Sequence, residues 1–166
     1  MGERVLEIRE LKNCEIDDIM KIWLESTIEA HYFIKEEYWK KNYEVVRDIY
    51  IPMAKTFVYC GEGKIKGFIS IIDINFIGAL FVHTKSQGRG IGKSLLEYVK
   101  NKYENIELAV YKDNKKAVEF YKKQGFKIIK EQENEDSGHL EYLMSYSKNS
   151  SENKSVYDTH LTLPTN

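Results

Sequence analysis

The hydrophobic and polar positions of the chain change period several times. Val5 to Arg9 (VLEIR) alternates as a short strand does. Asn13 is placed to cap a helix whose first turn carries Glu15, Asp17 and Asp18, acids that suit the positive end of the helix dipole. Ile16, Ile19, Met20, Trp23 and Thr27 follow at helical spacing. A second helix is predicted over Glu36 to Asp48, with Tyr38, Trp39, Asn42, Val45, Val46 and Ile49 near one face. The period then drops to two. TFVYC and IKGFISIID flank the turn GEGK and read as a hairpin, and FIGALFV makes a third consecutive strand. A helix is predicted from Ile91 to Tyr103, burying Ile91, Leu95 and Tyr98 or Val99. IELAV is the next strand, and NKKAVEFYKKQ the next helix, closed by Gly125. FKIIKEQEN and HLEYLMSY are two further strands around the turn EDSG.

Neither an all-parallel sheet nor a series of hairpins gives this order. It predicts an α+β fold, a mixed α/β arrangement with a central antiparallel meander, crossover helices and about four helices in all. The 166 residues, 42% of them hydrophobic, suit one domain over residues 1–147. From about Ser147 the sequence SKNSSENKSVYDTHLTLPTN loses periodicity. Residues 148–166 are expected to be a polar tail, either disordered or an expression artefact.

Charge and cysteine usage narrow the function classes. A net charge of -1 lacks the basic excess of a nucleic-acid binder. GFISII and GALFV are far shorter than the about 20 apolar residues of a membrane span, and MGERVLEIRE has no leader-like apolar stretch. Cys14 and Cys60 form no paired motif, and His31, His83, His139 and His160 are scattered. No metal and no disulfide framework is therefore expected, and a cytoplasmic location is.

The stretch GALFVHTKSQGRGIGKSLLEYV carries the chemistry. Three glycines in five residues end a strand and open an amphipathic helix, an arrangement that turns backbone amides and a positive helix end toward an anion. A Walker A motif would need its first glycine at position 87, which is Gln87, so Gly92-Lys93-Ser94 matches only its end. The spacing Gly88, Gly90, Gly92 is not a Rossmann fingerprint either. A tight strand-to-helix turn without a ligand is the plain alternative.

Two blocks resolve this. Gln87, Gly90 and Gly92 resemble the Q/R-x-x-G-x-G/A acyl-CoA loop of the GNAT superfamily of N-acetyltransferases. VYKDNKKAVEFYKKQGF resembles that family's second block, with Asn114, Ala117, Phe120, Tyr121, Gly125 and Phe126 in place. With IWLESTIEAHYFIKEEYW, VRDIYI and GFISI upstream, the likeness is to small bacterial members of the YiaC and YjaB type and runs from Val5 to Tyr146. Thr84 stands where proline is frequent, which removes one source of stiffness from the loop.

The resemblance implies a mostly antiparallel, twisted sheet whose fourth strand bulges and splays from the fifth. It implies acetyl-CoA as co-substrate, its pantetheine arm pairing with strand backbone at Leu80 and Val82. The pyrophosphate would sit on the amides of Gln87, Gly88, Arg89, Gly90, Ile91, Gly92 and Lys93. Arg89, Lys93, Lys122 and Lys123 are candidates for the remaining phosphate charge, and Asn114 for a cofactor contact or a helix cap. Tyr121 is the implied general acid, since a phenol, with its ordinary pKa of about 10, holds a proton for the departing sulfur. A strand amide near Phe81 or Val82 would hold the oxyanion. Glu29 and His31 are candidate general bases, a water chain of the kind many such enzymes use is the alternative, and Asp73 and Glu107 are weaker choices. Tyr32, Phe33, Trp39 and Phe68 could wall the acceptor site or simply pack. The acceptor is expected to be a protein lysine or N-terminal amine. A small amine, a non-catalytic acetyl-CoA sensor and a homodimer stay open.

Overall fold

In the computed structural model, residues 6–148 are described; Val5 and the tail from 149 onward lie outside them. Seven strands and four helical runs alternate in the predicted order. They are β1 (Glu7–Glu10), α1 (Ile16–Ala30), α2 (Glu36–Val45), β2 (Lys55–Gly61), β3 (Lys64–Ile72), β4 (Phe76–Val82), α3 (Ile91–Lys100), β5 (Asn105–Tyr111), α4 (Lys115–Lys123), β6 (Lys127–Glu133) and β7 (Leu140–Ser147).

The strands form one sheet in the order β1-β2-β3-β4-β5-β7-β6. Every neighbouring pair is antiparallel except β4 and β5. The helices cover both faces, which is why the central strands read as continuous apolar runs. Phe57, Ile69, Ile71 and Ile77 pack with Ile91, Leu95, Leu96 and Val99 of α3 and with Val118 and Tyr121 of α4. On the opposite face Val58, Phe68, Ala79 and Phe81 pack with Ile19, Met20 and Trp23 of α1 and Trp39 of α2. The sequence expectation for α3 missed Leu96, because a helix lying flat on a sheet buries a wider stripe than one residue per turn.

Three local expectations change. Asn13 does not cap α1. It opens a single 3₁₀ turn, Asn13–Glu15, and Glu15 instead accepts the Lys12 backbone N–H at 2.9 Å and a two-pronged bond from Arg9 at 2.8 and 3.0 Å. The second helix does not stop near Asp48. It widens into a π-type turn over Val46–Tyr50 and ends in the turn Ile51–Met53, where Pro52, with no N–H to donate, stands one residue before the helix stops. Its predicted face is only partly buried: Trp39 and Val46 are inside, whereas Val45 and Ile49 are exposed.

Two features set up the site. The β3–β4 register skips Gly78, so that Ser70 pairs with Ala79 and Ile71 with Ile77, a bulge that bends β4. Immediately beyond it β4 leaves β5: the two strands pair only at Phe76 with Glu107 and Ile77 with Leu108. The start of α3 is held against the sheet at Gly67, where a Cβ would stand 3.1 Å from Ile91 Cγ2 and 3.1 Å from the Phe81 carbonyl oxygen. No helix among the described residues is long and apolar enough to cross a membrane.

Candidate active site

Past Gly78 the outer edge of β4 faces a gap instead of a neighbour. The His83 N–H donates to the Lys66 carbonyl at 2.7 Å, so position 83 bonds toward β3. Antiparallel pairs alternate between bonded and non-bonded positions, which turns the backbone groups of Val82 and Leu80 the other way, into the gap. The Val82 carbonyl is already taken, accepting from Ser26 Oγ at 3.0 Å and Gln87 Nε2 at 3.2 Å. That leaves the Val82 N–H and both backbone groups of Leu80 to meet whatever enters.

The gap opens into a cleft of about 940 Å³ bounded by the end of α1, the outer part of β4, the glycine loop with the first turn of α3, and α4. The loop is stiff despite Thr84. A 3₁₀ turn spans Thr84–Ser86, the Ser86 N–H donates to the His83 carbonyl at 2.8 Å, and the His83 ring caps the Lys85 N–H at 3.1 Å. Gly88 and Gly90 have φ of 82° and 79°, in the left-handed region, so glycine is required there by conformation. Gly90 caps α3, and the amides of its first turn precede the first helical bond, from Ser94 N to the Gly90 carbonyl. The positive end of α3 therefore points at the cleft.

Most of the sequence candidates meet here. Glu29, Leu80, Val82, Gln87, Gly88, Gly90, Ile91, Gly92, Lys93, Asn114 and Tyr121 all line the cleft. Arg89, Lys122 and Lys123 do not. Two lysines the sequence reading overlooked, Lys115 and Lys116, take their place on the wall. The available signal was their position directly after the capping asparagine, in the first turn of a helix that opens on the same cleft. Ser26, Ala30, Ala117 and Phe120 were also missed as lining residues; Ser26 and Ala117 lie one helical turn from a residue that was found, and Ala30 and Phe120 lie next to one.

Tyr121 is 2% exposed, wedged between Phe120 and Phe126 with ring centroids 5.2 and 5.5 Å away. Burial pushes its phenol above the ordinary value of 10, so it keeps its proton throughout the neutral range. Asn114 is both cap and wall: its Oδ1 accepts the Ala117 N–H at 3.3 Å, and its Nδ2 lies 3.4 Å from His31 Nε2.

His31 stands apart from the cleft wall. It is fully buried and not among the cleft-lining residues, and its Nδ1 lies 2.8 Å from the Thr27 carbonyl oxygen and 3.0 Å from Thr27 Oγ1. A base must reach the proton it removes, and this ring faces protein on both nitrogens. Glu29, exposed at the end of α1 and on the cleft wall, is the carboxylate that remains at the acceptor side. Glu107 is buried where β4 and β5 pair, and Asp73 sits in the exposed β3–β4 turn; neither lines the cleft. Phe68 and Trp39 are core residues, whereas Tyr32 is 81% exposed beside the cleft. Opposite, the turn between β6 and β7 is tied to α2 by Tyr38, whose hydroxyl donates to Asp136 at 2.6 Å. Burial first, and then that bond, push the Tyr38 phenol upward.

Among the described residues no group of three or more His, Cys, Asp or Glu side chains is placed to hold a metal ion.

Comparison with known proteins follows the same lines. Residues 23–148 match the family model described as "Acetyltransferase (GNAT) domain". The chain is 43% identical over 122 residues to the peptidyl-lysine N-acetyltransferase YiaC of Escherichia coli (strain K12), covering 74% of this chain and 84% of that one. The solution structure of apo-form YjaB from Escherichia coli superimposes with a TM-score of 0.75 at 27% identity, covering 86% of this chain and 97% of that one. The PaiA N-acetyltransferase of Thermoplasma acidophilum, solved in complex with coenzyme A, shares the fold with a TM-score of 0.72 at 20% identity, over 86% of this chain and 99% of that one.

Proposed function

The chain belongs to the acetyltransferase (GNAT) family and is an acetyl-CoA-dependent N-acetyltransferase; on that premise we propose that it moves the acetyl group directly to a lysine side chain or N-terminal amine of a protein. The observation that carries the site assignment is the break between β4 and β5 beside the glycine loop. The break leaves peptide groups of Leu80 and Val82 facing a cleft, and an amide-bearing pantetheine arm is what such groups can pair with. The amides of residues 87–93 and the positive end of α3 offer the matching seat for a pyrophosphate, with Lys93, Lys115 and Lys116 on the same walls. The protein acceptor follows from the likeness to YiaC.

The thioester supplies an activated acetyl group: the C–N bond forms at the carbonyl carbon as the C–S bond breaks. In this reading the Val82 N–H steadies the negative charge that develops on the carbonyl oxygen. Glu29 holds the incoming ammonium and takes its proton, directly or through a water. Tyr121 gives its proton to the leaving sulfur. The dry wall that raises the phenol acts equally on a sulfur anion in the same place, so burial by itself does not pull the two proton affinities apart. Work in the cytoplasm, without nucleic acid or membrane, is part of the same proposal and accords with the near-neutral charge.

The test is free-thiol release from acetyl-CoA with a lysine-peptide pool set against a panel of small amines. Release that requires peptide supports the proposal, and release with small amines alone reassigns the acceptor. Tyr121→Phe is expected to keep acetyl-CoA affinity and lose about 10²-fold or more in turnover. Wild-type turnover in that variant would remove Tyr121 from the acid role.

A further inference from the structure

We propose that His31 is a positioning residue that fixes the Asn114 amide and, through it, locks the α1 wall of the cleft to the α4 wall; the inference rests on the reading of this cleft as the acetyl-CoA site. Two contacts of the ring, to the Thr27 carbonyl and to Asn114, agree on one arrangement, and Thr27 Oγ1, 3.0 Å from Nδ1, can accept from the same N–H. A carbonyl oxygen only accepts, so the 2.8 Å contact to Thr27 puts the imidazole proton on Nδ1. An amide NH₂ only donates, so the Asn114 Nδ2 at 3.4 Å requires a lone pair on Nε2. Both hold together only for the neutral Nδ1–H tautomer.

The Asn114 amide is oriented independently. Its Oδ1 must accept the Ala117 N–H that it caps, which turns the NH₂ toward His31. Backbone on α1 thus sets one partner and backbone on α4 sets the other, and the two meet as acceptor and donor. Reversing either would bring like groups together in a pocket walled by Trp39, Phe33 and Tyr111, with ring centroids 4.9, 5.8 and 5.3 Å from the imidazole. With the ring buried among aromatic side chains, the orientation is set by exclusion of the reversed pairing more than by the strength of one long bond.

The consequence reaches the cleft because both elements line it. Ser26, Glu29 and Ala30 come from α1, and Ala117, Phe120 and Tyr121 from α4. Asn114 has a second amide hydrogen and stands on the wall between them. Holding one hydrogen on His31 prepares the other for a carbonyl of the bound arm, and keeps the acid Tyr121 at a set distance from the acceptor side.

The experiment begins with the wild-type chain, labelled with ¹⁵N on the imidazoles. The proposal expects His31 to show the neutral Nδ1–H pattern at neutral pH; an Nε2–H or doubly protonated pattern overturns it. Acetyl-CoA affinity by calorimetry, KM and kcat are then compared across His31→Leu, His31→Gln, Asn114→Ala and the double variant His31→Leu/Asn114→Ala. His31→Leu is expected to weaken acetyl-CoA binding about tenfold and raise its KM alike. His31→Gln, whose side-chain oxygen can stand near the Nε2 position, is expected to restore most of that loss. In the Asn114→Ala background the leucine substitution is expected to cost no further affinity. Wild-type affinity in His31→Leu, or losses that simply add, would overturn the proposal. Should the leucine variant not fold, the wild-type spectrum and the glutamine variant decide. A wild-type protein that shows the expected tautomer yet binds no acetyl-CoA refutes the assignment of the cleft, not the pairing of His31 with Asn114.

Discussion

Gly92→Ala separates the two jobs a glycine can have in the loop. Gly92 is the second residue of α3, and its φ is not in the left-handed region. A Cβ there would meet Val82 Cγ2 at 3.7 Å and Phe120 Cζ at 3.8 Å, which are ordinary contacts. Nothing in the fold therefore resists alanine. Glycine in a helix is about 0.5–1 kcal/mol less stable than alanine. For a chain of this size that gain raises Tm by about 2 °C. The same methyl would stand between two residues of the cleft wall, Val82 and Phe120, where the bound arm and pyrophosphate must come close to backbone. We expect KM for acetyl-CoA to rise about tenfold, a loss of about 1.4 kcal/mol. The assay is thermal unfolding by circular dichroism beside thiol release at varied acetyl-CoA. A higher Tm with unchanged KM would show that the substrate does not approach this backbone. A lower Tm would show that the site is tighter than its geometry says.

Gly90→Ala should do the opposite to stability. Its φ of 79° costs an alanine about 1–2 kcal/mol although no atom stands within 4 Å of the new Cβ, so Tm should fall by about 2–8 °C; an unchanged Tm would refute the left-handed cap. Replacing Lys115 and Lys116 together with alanine should raise KM for acetyl-CoA severalfold and flatten its dependence on salt, as measured by thiol release at two ionic strengths; an unaltered salt slope would place the phosphates elsewhere. Arg9→Ala should cost about 1 kcal/mol at neutral pH. Hydrogen bonding from Arg9 holds the Glu15 carboxyl down from the ordinary 4.5 to about 2, so the pair stabilises fully above pH 4.5 and is lost as pH falls through 2. The gap between wild type and variant in urea unfolding should close across that window.

Much of the fold was legible because most of its signals are local. The limits of β4 could be read from FIGALFV to the residue, since two-sided burial makes a strand continuously apolar between polar turns. Gly125, read as the close of a helix, is left-handed there, and the glycine-rich loop proves to hold two more left-handed positions, Gly88 and Gly90. What the sequence concealed was tertiary. Val45 and Ile49 look like core yet face outward: Val45 stands a helical step aside from buried Val46, and the wider i→i+5 turn over Val46–Tyr50 advances by less rotation per residue than an α-helix, which carries Ile49 off the face of Trp39 and Val46. His31 resembled a base because an ordinary imidazole changes charge near neutral pH and this one ends a helix that reaches the cleft. Only three dimensions show its ring turned inward under Trp39, while Glu29, two residues earlier, faces the opening. Lys115 and Lys116 were indistinguishable by charge from Lys122 and Lys123, two turns along the same helix; which pair meets the cleft depends on where α4 begins, not on composition.

The parting of β4 from β5 has a mechanical consequence. Joined at two residue pairs, the sheet is in effect a four-stranded leaf and a three-stranded leaf sharing a short spine. About 4.8 Å separates adjacent strands, so a gap that admits one extended chain is one strand wide. An arm lying along Leu80 and Val82 would be an eighth strand, supplied from outside and withdrawn after every turnover. On that seating the sheet would be complete only while the enzyme is loaded, its own continuity given over to recognising the substrate.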